Sequence, residues 1–300
     1  MSIFISQLFN GLSLGSIMLL IALGLAITFG LMNVINMAHG ELIMVGAYAT
    51  YVMQLIFSKY LPESLFNYYY FIAIPISFLV ASFIGYLLEK GIIRFLYNRP
   101  TDSLLATWGI SLILQQIARS IFGAPNVAVV APAWMDGGWQ IFGITLPYKR
   151  VLILSLSIVC IALLYYYLNK SSTGLRIRAV TMNRNMASCL GIFTRKIDSL
   201  GFALGAGLAG IAGCSLTLLG PIGPTIGTYY IVDAFMVVIL GGIGGLKGTI
   251  IGAFGIGMLS TVVEYSFGAT MAKVIVFAVI ILFLQWKPLG IFSYRTRALD

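Results

Sequence analysis

Two stretches of this chain place polar or conformationally free residues inside an otherwise apolar pattern. The first reads Gly30-Leu-Met-Asn33-Val-Ile-Asn36-Met-Ala-His39-Gly40-Glu41 and is followed by Gly46-Ala47-Tyr48. Its amides, imidazole and carboxylate offer donors and acceptors to a small polar solute. The second runs from Gly241 through Gly242 and Gly244 to Gly248 and is followed by Gly252-Ala253-Phe254. Glycine contributes no side chain, so what this stretch can offer is bare backbone. Asp233 lies a few residues ahead of it, as a further polar group on the same path or as a helix-capping carboxylate. The chemistry that is missing narrows the field. There is 1 histidine, and the 9 acidic residues are scattered. No metal cluster and no nucleophile–base pair can be assembled from that set, so no catalytic residue, metal or bound cofactor is expected. Gly242 to Gly248 also stops short of a phosphate loop, because Leu246 separates Gly245 from Lys247 and Gly248 stands where Ser or Thr is required. Any nucleotide must be handled by another chain.

The elements that position these residues are set by an extreme composition. The chain is 60% hydrophobic and 9% charged, with a mean hydropathy of +0.99. A soluble domain carries about 25% charged residues to keep its surface wet. A lipid environment removes that need, and the 16 Tyr and 19 Phe suit interfacial belts. The expectation is an all-α integral membrane bundle forming a single domain over residues 1–300. A helical span needs about 20 mainly apolar residues. Candidates are 5–31, 41–57, 68–88, 104–121, 151–168, 200–219, 231–240, 250–267 and 272–286. The seventh is too short to cross alone and runs into the second glycine stretch, which predicts a broken or re-entrant segment and about eight or nine crossings in all. The uncharged stretch from Met1 to Ala38 is far longer than the apolar region of a cleavable signal and has no basic start.

The net charge of +9 sits in short connections between apolar runs, the bias of cytoplasmic loops rather than of a nucleic-acid partner. Residues 89–103, 169–198 and the tail after Trp286 hold most of it, which places these three on the cytoplasmic side and the 122–150 connection outside. That outer connection has an Asp136-Gly137-Gly138 turn between β-prone pieces and predicts a small hairpin. Segment 169–198 is the longest polar stretch in the array. It carries Gly174-Leu-Arg176-Ile-Arg178-Ala179, then Asn183, Ala187 and Gly191. Thr181 or Asn183 can cap a short helix there with Met186, Leu190 and Ile192 on one side. It reads either as an ordinary basic loop or as an amphipathic helix that docks on a partner. Small residues fill three spans: Gly11 and Gly15; Gly201, Gly205, Gly207, Gly210 and Gly213; and Gly248, Gly252, Gly255 and Gly257. Such residues let backbones approach closely in lipid, and a sliding interface is compatible with that packing. Of the other polar groups near spans, Arg119 and Lys273 are placed to snorkel, and Glu264 can pair with Lys273. Cys160, Cys189 and Cys214 have no disulfide or metal spacing. Paired interruptions of this kind point to a transport path.

The residues from Asn33 to Met44, the Gly174-Leu-Arg-Ile-Arg178-Ala179 run and Gly241-Gly-Ile-Gly244 together resemble the LivH-type permeases of branched-chain amino acid ABC importers, over nearly the whole chain. Within that group, Leu105-Ala-Thr-Trp108-Gly109 to Gln116, Asn126-Val with Pro132-Ala-Trp134, and Gly220-Pro-Ile-Gly-Pro224 into Asp233-Ala-Phe235 look more like the urea permease. The resemblance implies a second homologous permease subunit, two ATP-binding cassette subunits that use ATP, and an extracytoplasmic solute-binding protein, in a bacterial cytoplasmic membrane. It implies that 169–198 is the coupling segment, with Gly174, Arg176, Arg178, Ala179, Asn183, Ala187 and Gly191 at the ATPase contact. Asn33, Asn36, His39, Glu41, Asp233, Gly241, Gly242 and Gly244 would then lie along the solute path. Urea or a short amide is the expected solute, with branched-chain amino acids as the alternative. A stand-alone channel or secondary transporter is the competing class.

Overall fold

Long apolar runs close their backbone hydrogen bonds internally as helices, the open-ended solution that lipid permits. The computed structural model describes residues 2–32, 34–62, 66–97, 99–141, 144–242, 245–288 and 290–292. Its helices are α1 (Ser2–Met32), α2 (His39–Tyr60), α3 (Tyr69–Gly91), α4 (Pro100–Phe122), α5 (Tyr148–Lys170), α6 (Ser172–Met182), α7 (Arg184–Cys189), α8 (Thr194–Leu216), α9 (Ile226–Gly241), α10 (Leu246–Phe267) and α11 (Ala269–Trp286). Among the described residues 8 helices are long and apolar enough to cross a membrane; α9 is apolar but shorter. At 1.5 Å per residue α9 reaches only about 24 Å, less than the ~30 Å hydrocarbon core.

α1 and α8 form the centre. Their span windows are each 83% buried, against 17% for α11 and 28% for α4 and α5. α1 packs along α10 and α8, and α8 along α2 and α3. Glycines make these approaches possible. A Cβ at Gly24 would strike the carbonyl of Gly205, one at Gly46 the backbone of Gly210, and one at Gly213 the carbonyl of Ile43. On the other side Gly257 meets Gly15 at 2.5 Å from where its Cβ would stand. The Gly46-Ala47 step thus seats α2 on α8, and Ala253-Phe254 seats α10 on α1. Gly255 departs from the expected pattern, since nothing lies within 4 Å of it.

Contacts across the links fix which ends lie together. Val127 and Ile222 form an antiparallel bridge, so the connection after α4 and that after α8 share one end. Tyr69, at the start of α3, donates to the Val130 carbonyl there at 2.6 Å. At the other end of α3, Glu89 accepts from Ser199 near the start of α8. The expected grouping of 89–103 with 169–198 at a basic end is therefore observed. Leu31 lies against Gly201, which puts the C-terminal end of α1 at that basic end as well. After α11, Ile291 donates its N–H to the Leu240 carbonyl at 2.8 Å, giving the end of α9 a partner.

The outer hairpin exists, but not around the expected turn. β1 (Gly138–Ile141) pairs with β2 (Ile144–Pro147) in the register Gly138↔Pro147. Asp136 and Gly137 precede β1, and Gly137 uses its φ of 123° to enter it. The connecting residues 142 and 143 lie outside the described set.

The glycine seam yields a paired prediction. Gly210→Leu should lower the thermal midpoint in detergent by the equivalent of about 1–3 kcal/mol or more, because it forces α8 off Ser77 and Ala81 of α3. Gly109→Leu, with nothing within 4 Å, should leave the midpoint unchanged or raised. Equal midpoints for the two variants would remove the seam from the account.

Candidate functional site: a buried polar interruption and a charged clamp

The interruption between α1 and α2 is real and buried. Residues 34–38 leave the helix and α2 begins at His39. Asn36, His39 and Glu41 are all at most 2% exposed. Asn36 organises the turn by accepting the Ala38 N–H on its side-chain oxygen at 3.0 Å. His39 Nε2 faces the Ile21 carbonyl at 3.2 Å; that oxygen only accepts, so Nε2 carries the proton and Nδ1 is left as an acceptor. Gly40 is required at this point, since its Cβ would stand 2.6 Å from the Gly227 carbonyl of α9.

Glu41 ties the interruption to α4. Its Oε1 accepts from Ser111 and from Gln115, each at 2.8 Å. Gln115 donates on to Thr228 of α9 at 3.2 Å, and Thr107 accepts the Met37 N–H at 3.1 Å. Otherwise α4 is a peripheral helix with Leu105, Ile113, Ile117 and Ile121 exposed. In lipid such hydrogen bonds are what hold a helix with little packing of its own. Three atoms of the interruption still have no protein partner: Asn36 Nδ2, His39 Nδ1 and Glu41 Oε2. Buried polar groups are usually satisfied, so three unmatched atoms gathered within six residues set this interruption apart from an ordinary packed turn.

Beside it lies a cavity of about 230 Å³ lined by Leu25 and Phe29 of α1, Ile35 and Met37 of the interruption, and Phe235, Val238 and Ile239 of α9. The polar residue Asn36 sits in sequence between two of its lining side chains. A solute with one polar end and one apolar end matches that pairing better than a solute polar all round.

The remaining expected path residues are placed differently. Asp233 lies in the middle of α9, not at a cap, and pairs with Lys273 of α11 at 3.5 Å. Among the described residues Lys273 thus pairs with Asp233 rather than with Glu264, and it also donates to the Tyr229 carbonyl at 3.1 Å. The reason is position: both Asp233 and Tyr229 lie on α9, and α9 packs against α11. Gly241 and Gly248 close a tight corner between α9 and α10, with their backbones in direct contact, and Gly242 turns the chain at φ 94°. Asn33 and Gly244 lie outside the described residues.

At the basic end, α6 starts on Ser171, whose hydroxyl accepts the Gly174 N–H at 2.9 Å. α7 starts on Asn183, whose side chain accepts the Met186 N–H at 3.0 Å, so Asn183 is the cap. Thr181 instead bonds the Ile177 carbonyl within α6. Gly174 packs on the backbone of α5 and Ala187 is buried, so these two anchor the segment to its own bundle. Arg176, Arg178, Asn183 and Gly191 are exposed, and Ala179 is half-buried. Gly191 adopts φ 81° and ends α7. Met182 at the end of α6, Met186 of α7, and Leu190 and Phe193 just beyond it are 59–79% exposed.

Sequence reasoning missed what fastens that segment. Arg184, the first residue of α7, forms an ion pair with Asp198 of α8, and its guanidinium lies 5.2 Å from the Tyr97 ring centroid. Tyr97 donates to Glu89 at 2.7 Å, Arg94 reaches Glu89 at 3.4 Å, and Ser199 donates to the same carboxylate. Burial pushes the Tyr97 hydroxyl above the ordinary phenol range, and its bond to Glu89 adds to that, so it remains a donor. Glu89 and Asp198 are both fully buried, and carboxylates are buried only when paired. Their burial beside basic residues was the available signal.

A family model described as branched-chain amino acid transport system, permease component, matches residues 7–284. The high-affinity branched-chain amino acid transport system permease protein LivH of Escherichia coli K12 is 30% identical over 297 residues, covering 96% of this chain and 95% of that protein. BraD of Pseudomonas aeruginosa, named for the same activity, is 30% identical over 296 residues. The probable branched-chain amino acid permease LivH of Methanocaldococcus jannaschii is 29% identical over 296 residues, 92% of this chain and 88% of that protein. No solved structure matches.

The Glu41 links give a direct prediction. Glu41→Leu leaves the Ser111 and Gln115 donors unmatched, which costs about 1–3 kcal/mol for a buried group. α4 should become more accessible to a membrane-permeant thiol reagent at an introduced Ser111→Cys, compared with that label in an otherwise unaltered chain. Equal labelling in both would mean that Glu41 does not hold α4.

Proposed function

This chain belongs to the branched-chain amino acid transport permease family, and we propose that it is the translocation subunit of an ATP-driven importer that takes up branched-chain amino acids. It performs no chemistry of its own. ATP-binding subunits at the basic end hydrolyse ATP, a second permease subunit completes the path, and a solute-binding protein delivers solute at the other end. The membrane is the bacterial cytoplasmic one.

The observation that carries the solute reading is the apolar cavity of about 230 Å³ lined by Ile35 and Met37, the sequence neighbours of Asn36, within an interruption that holds three unmatched polar atoms. Urea is polar on every edge and gains nothing from Leu25, Phe29, Val238 and Ile239. A leucine-like solute can set its side chain among them and its charged groups toward Asn36, His39 and Glu41. The relatives' names support the same choice over the urea-like reading of the 105–116 and 220–235 motifs. In this reading the affinity resides in the binding protein, and the cavity holds solute only loosely.

The transmission runs through the clamp. The exposed Met182, Met186 and Leu190, on and beside α7, seat on an ATP-binding subunit. Arg184 and Asp198 fasten α7 to the start of α8, so a push on α7 moves α8. α8 touches α1 at Gly24 and α2 at Gly46, on either side of the interruption. Two close-packed glycine seams let one helix shift both flanks together.

Two experiments test this. In cells with and without the chain, unlabelled valine should suppress uptake of labelled leucine, while urea in large excess should not; suppression by urea would return the solute assignment to an amide. Arg184→Glu, which faces the buried Asp198 with like charge, should lower leucine transported per ATP hydrolysed by about tenfold or more, since it leaves that carboxylate without its cation. The double variant with Asp198→Arg should recover much of it. A single variant with normal coupling would remove the clamp from the transmission path.

A further inference from the structure

Besides the cavity at the interruption, the structure has a larger groove of about 740 Å³ at the basic end, between the last turns of α3 and the first turns of α8. Four cations line it: Lys90, Arg94, Arg195 and Lys196. Its lining, among the described residues, contains no carboxylate. The two buried carboxylates nearby are already engaged, Glu89 with Arg94, Tyr97 and Ser199, and Asp198 with Arg184. Arg94 is thus paired with Glu89, while Lys90, Arg195 and Lys196 form no ion pair among the described residues and leave the groove with a net positive charge. Lys90 and Lys196 lie over the rings of Tyr86 and Phe193 at 5.8 and 5.2 Å, which holds the ammonium groups in place while leaving their N–H donors free. Arg94 Nε is buried without a partner.

The groove is not purely polar. Tyr86 and Leu200 form its inner wall. From Tyr86 an exposed stripe of Phe83 and Leu79 continues along α3 at helical spacing. Leu79 to Lys90 covers about 16 Å of helix, comparable to much of one acyl chain. The groove thus opens at one end to polar surroundings and merges at the other with a lipid-facing helix surface. A cationic pocket of this kind between helices at the basic side of a membrane protein matches an anionic headgroup with its tail alongside.

We propose that the α3–α8 groove binds one anionic phospholipid, its headgroup among Lys90, Arg94, Arg195 and Lys196 and an acyl chain along Tyr86, Phe83 and Leu79. The lipid braces the same junction that the Glu89 and Asp198 network closes from inside. The assignment uses neither the solute nor the transport direction, so it stands or falls independently of the uptake experiments above.

The test uses the full chain, purified in mild detergent with its associated subunits from membranes containing phosphatidylglycerol and phosphatidylethanolamine. Lipid extracted per chain should be enriched in phosphatidylglycerol. The triple variant Lys90→Gln, Arg195→Gln, Lys196→Gln should retain at least about tenfold less, each neutralised cation contributing roughly fivefold. Arg94 is left in place because it also bonds Glu89. Inorganic phosphate at matched concentration should not displace the lipid, since it lacks the tail; displacement would overturn the acyl-chain part of the assignment. Unchanged lipid retention in the variant would overturn the site, and loss of associated subunits with lipid unchanged would assign the groove to a protein contact instead. Should the variant fail to fold, a photoactivatable phosphatidylglycerol in vesicles carrying the unaltered protein replaces it. Labelled peptides should come from residues 79–94 and 192–200, and labelling elsewhere alone would overturn the proposal.

Discussion

Helices in lipid gain almost nothing from hiding apolar side chains from one another, because the lipid is as apolar as they are. What remains is close contact, and here it is achieved by backbone against backbone. Gly24 against Gly205, Gly46 against Gly210, Gly40 against Gly227 and Gly15 against Gly257 tie α1, α2, α8, α9 and α10 into one body. Each contact leaves no room for a Cβ, so the helices are held at backbone contact across the seam. The outer helices α4, α5 and α11 show the opposite character, with large side chains turned outward.

Against that apolar frame the few buried polar groups become decisive. Two sets stand out, one at Asn36, His39 and Glu41, the other at Glu89, Arg94, Tyr97, Arg184, Asp198 and Ser199. The second set is internally satisfied apart from one guanidinium nitrogen, as a structural joint should be. The first set is not: it has an unmatched donor and two unmatched acceptors, within the interruption whose Ile35 and Met37 line an apolar cavity. α8 connects the two sets, since Asp198 and Ser199 begin it and Gly205, Gly210 and Gly213 press on the helices around the interruption.

Much of this was legible in the chain itself. Apolar runs of helical length located all the spans, and the short apolar run ahead of Gly241 located the short α9. The first interruption was legible because Asn, His and Glu are rare in a span, and Gly40 because a span interior rarely needs it next to them. What the sequence could not reveal was partnership. Ser111, Thr107 and Thr228 are unremarkable residues in apolar helices, and only the crossing of α4 and α9 over α2 makes them the partners of Glu41, Met37 and Gln115. Asp233 resembles a cap when read beside the Gly220–Gly227 turn region; its true neighbour, Lys273, is forty residues away and is brought there by the α9–α11 contact. The hairpin turn was misplaced for a similar reason: Asp136-Gly-Gly has turn chemistry, but the pairing of Gly138 with Pro147 makes it the entry to the strand.

The central claim is that one rigid helix carries movement from the α7 clamp to the polar interruption. Hydrogen–deuterium exchange of the assembled transporter, compared with and without bound ATP, measures it most directly. Exchange should change together in residues 184–199 and 34–46, with the outward-facing α11 unaltered. A change confined to 184–199, with the interruption indifferent to nucleotide, would contradict it.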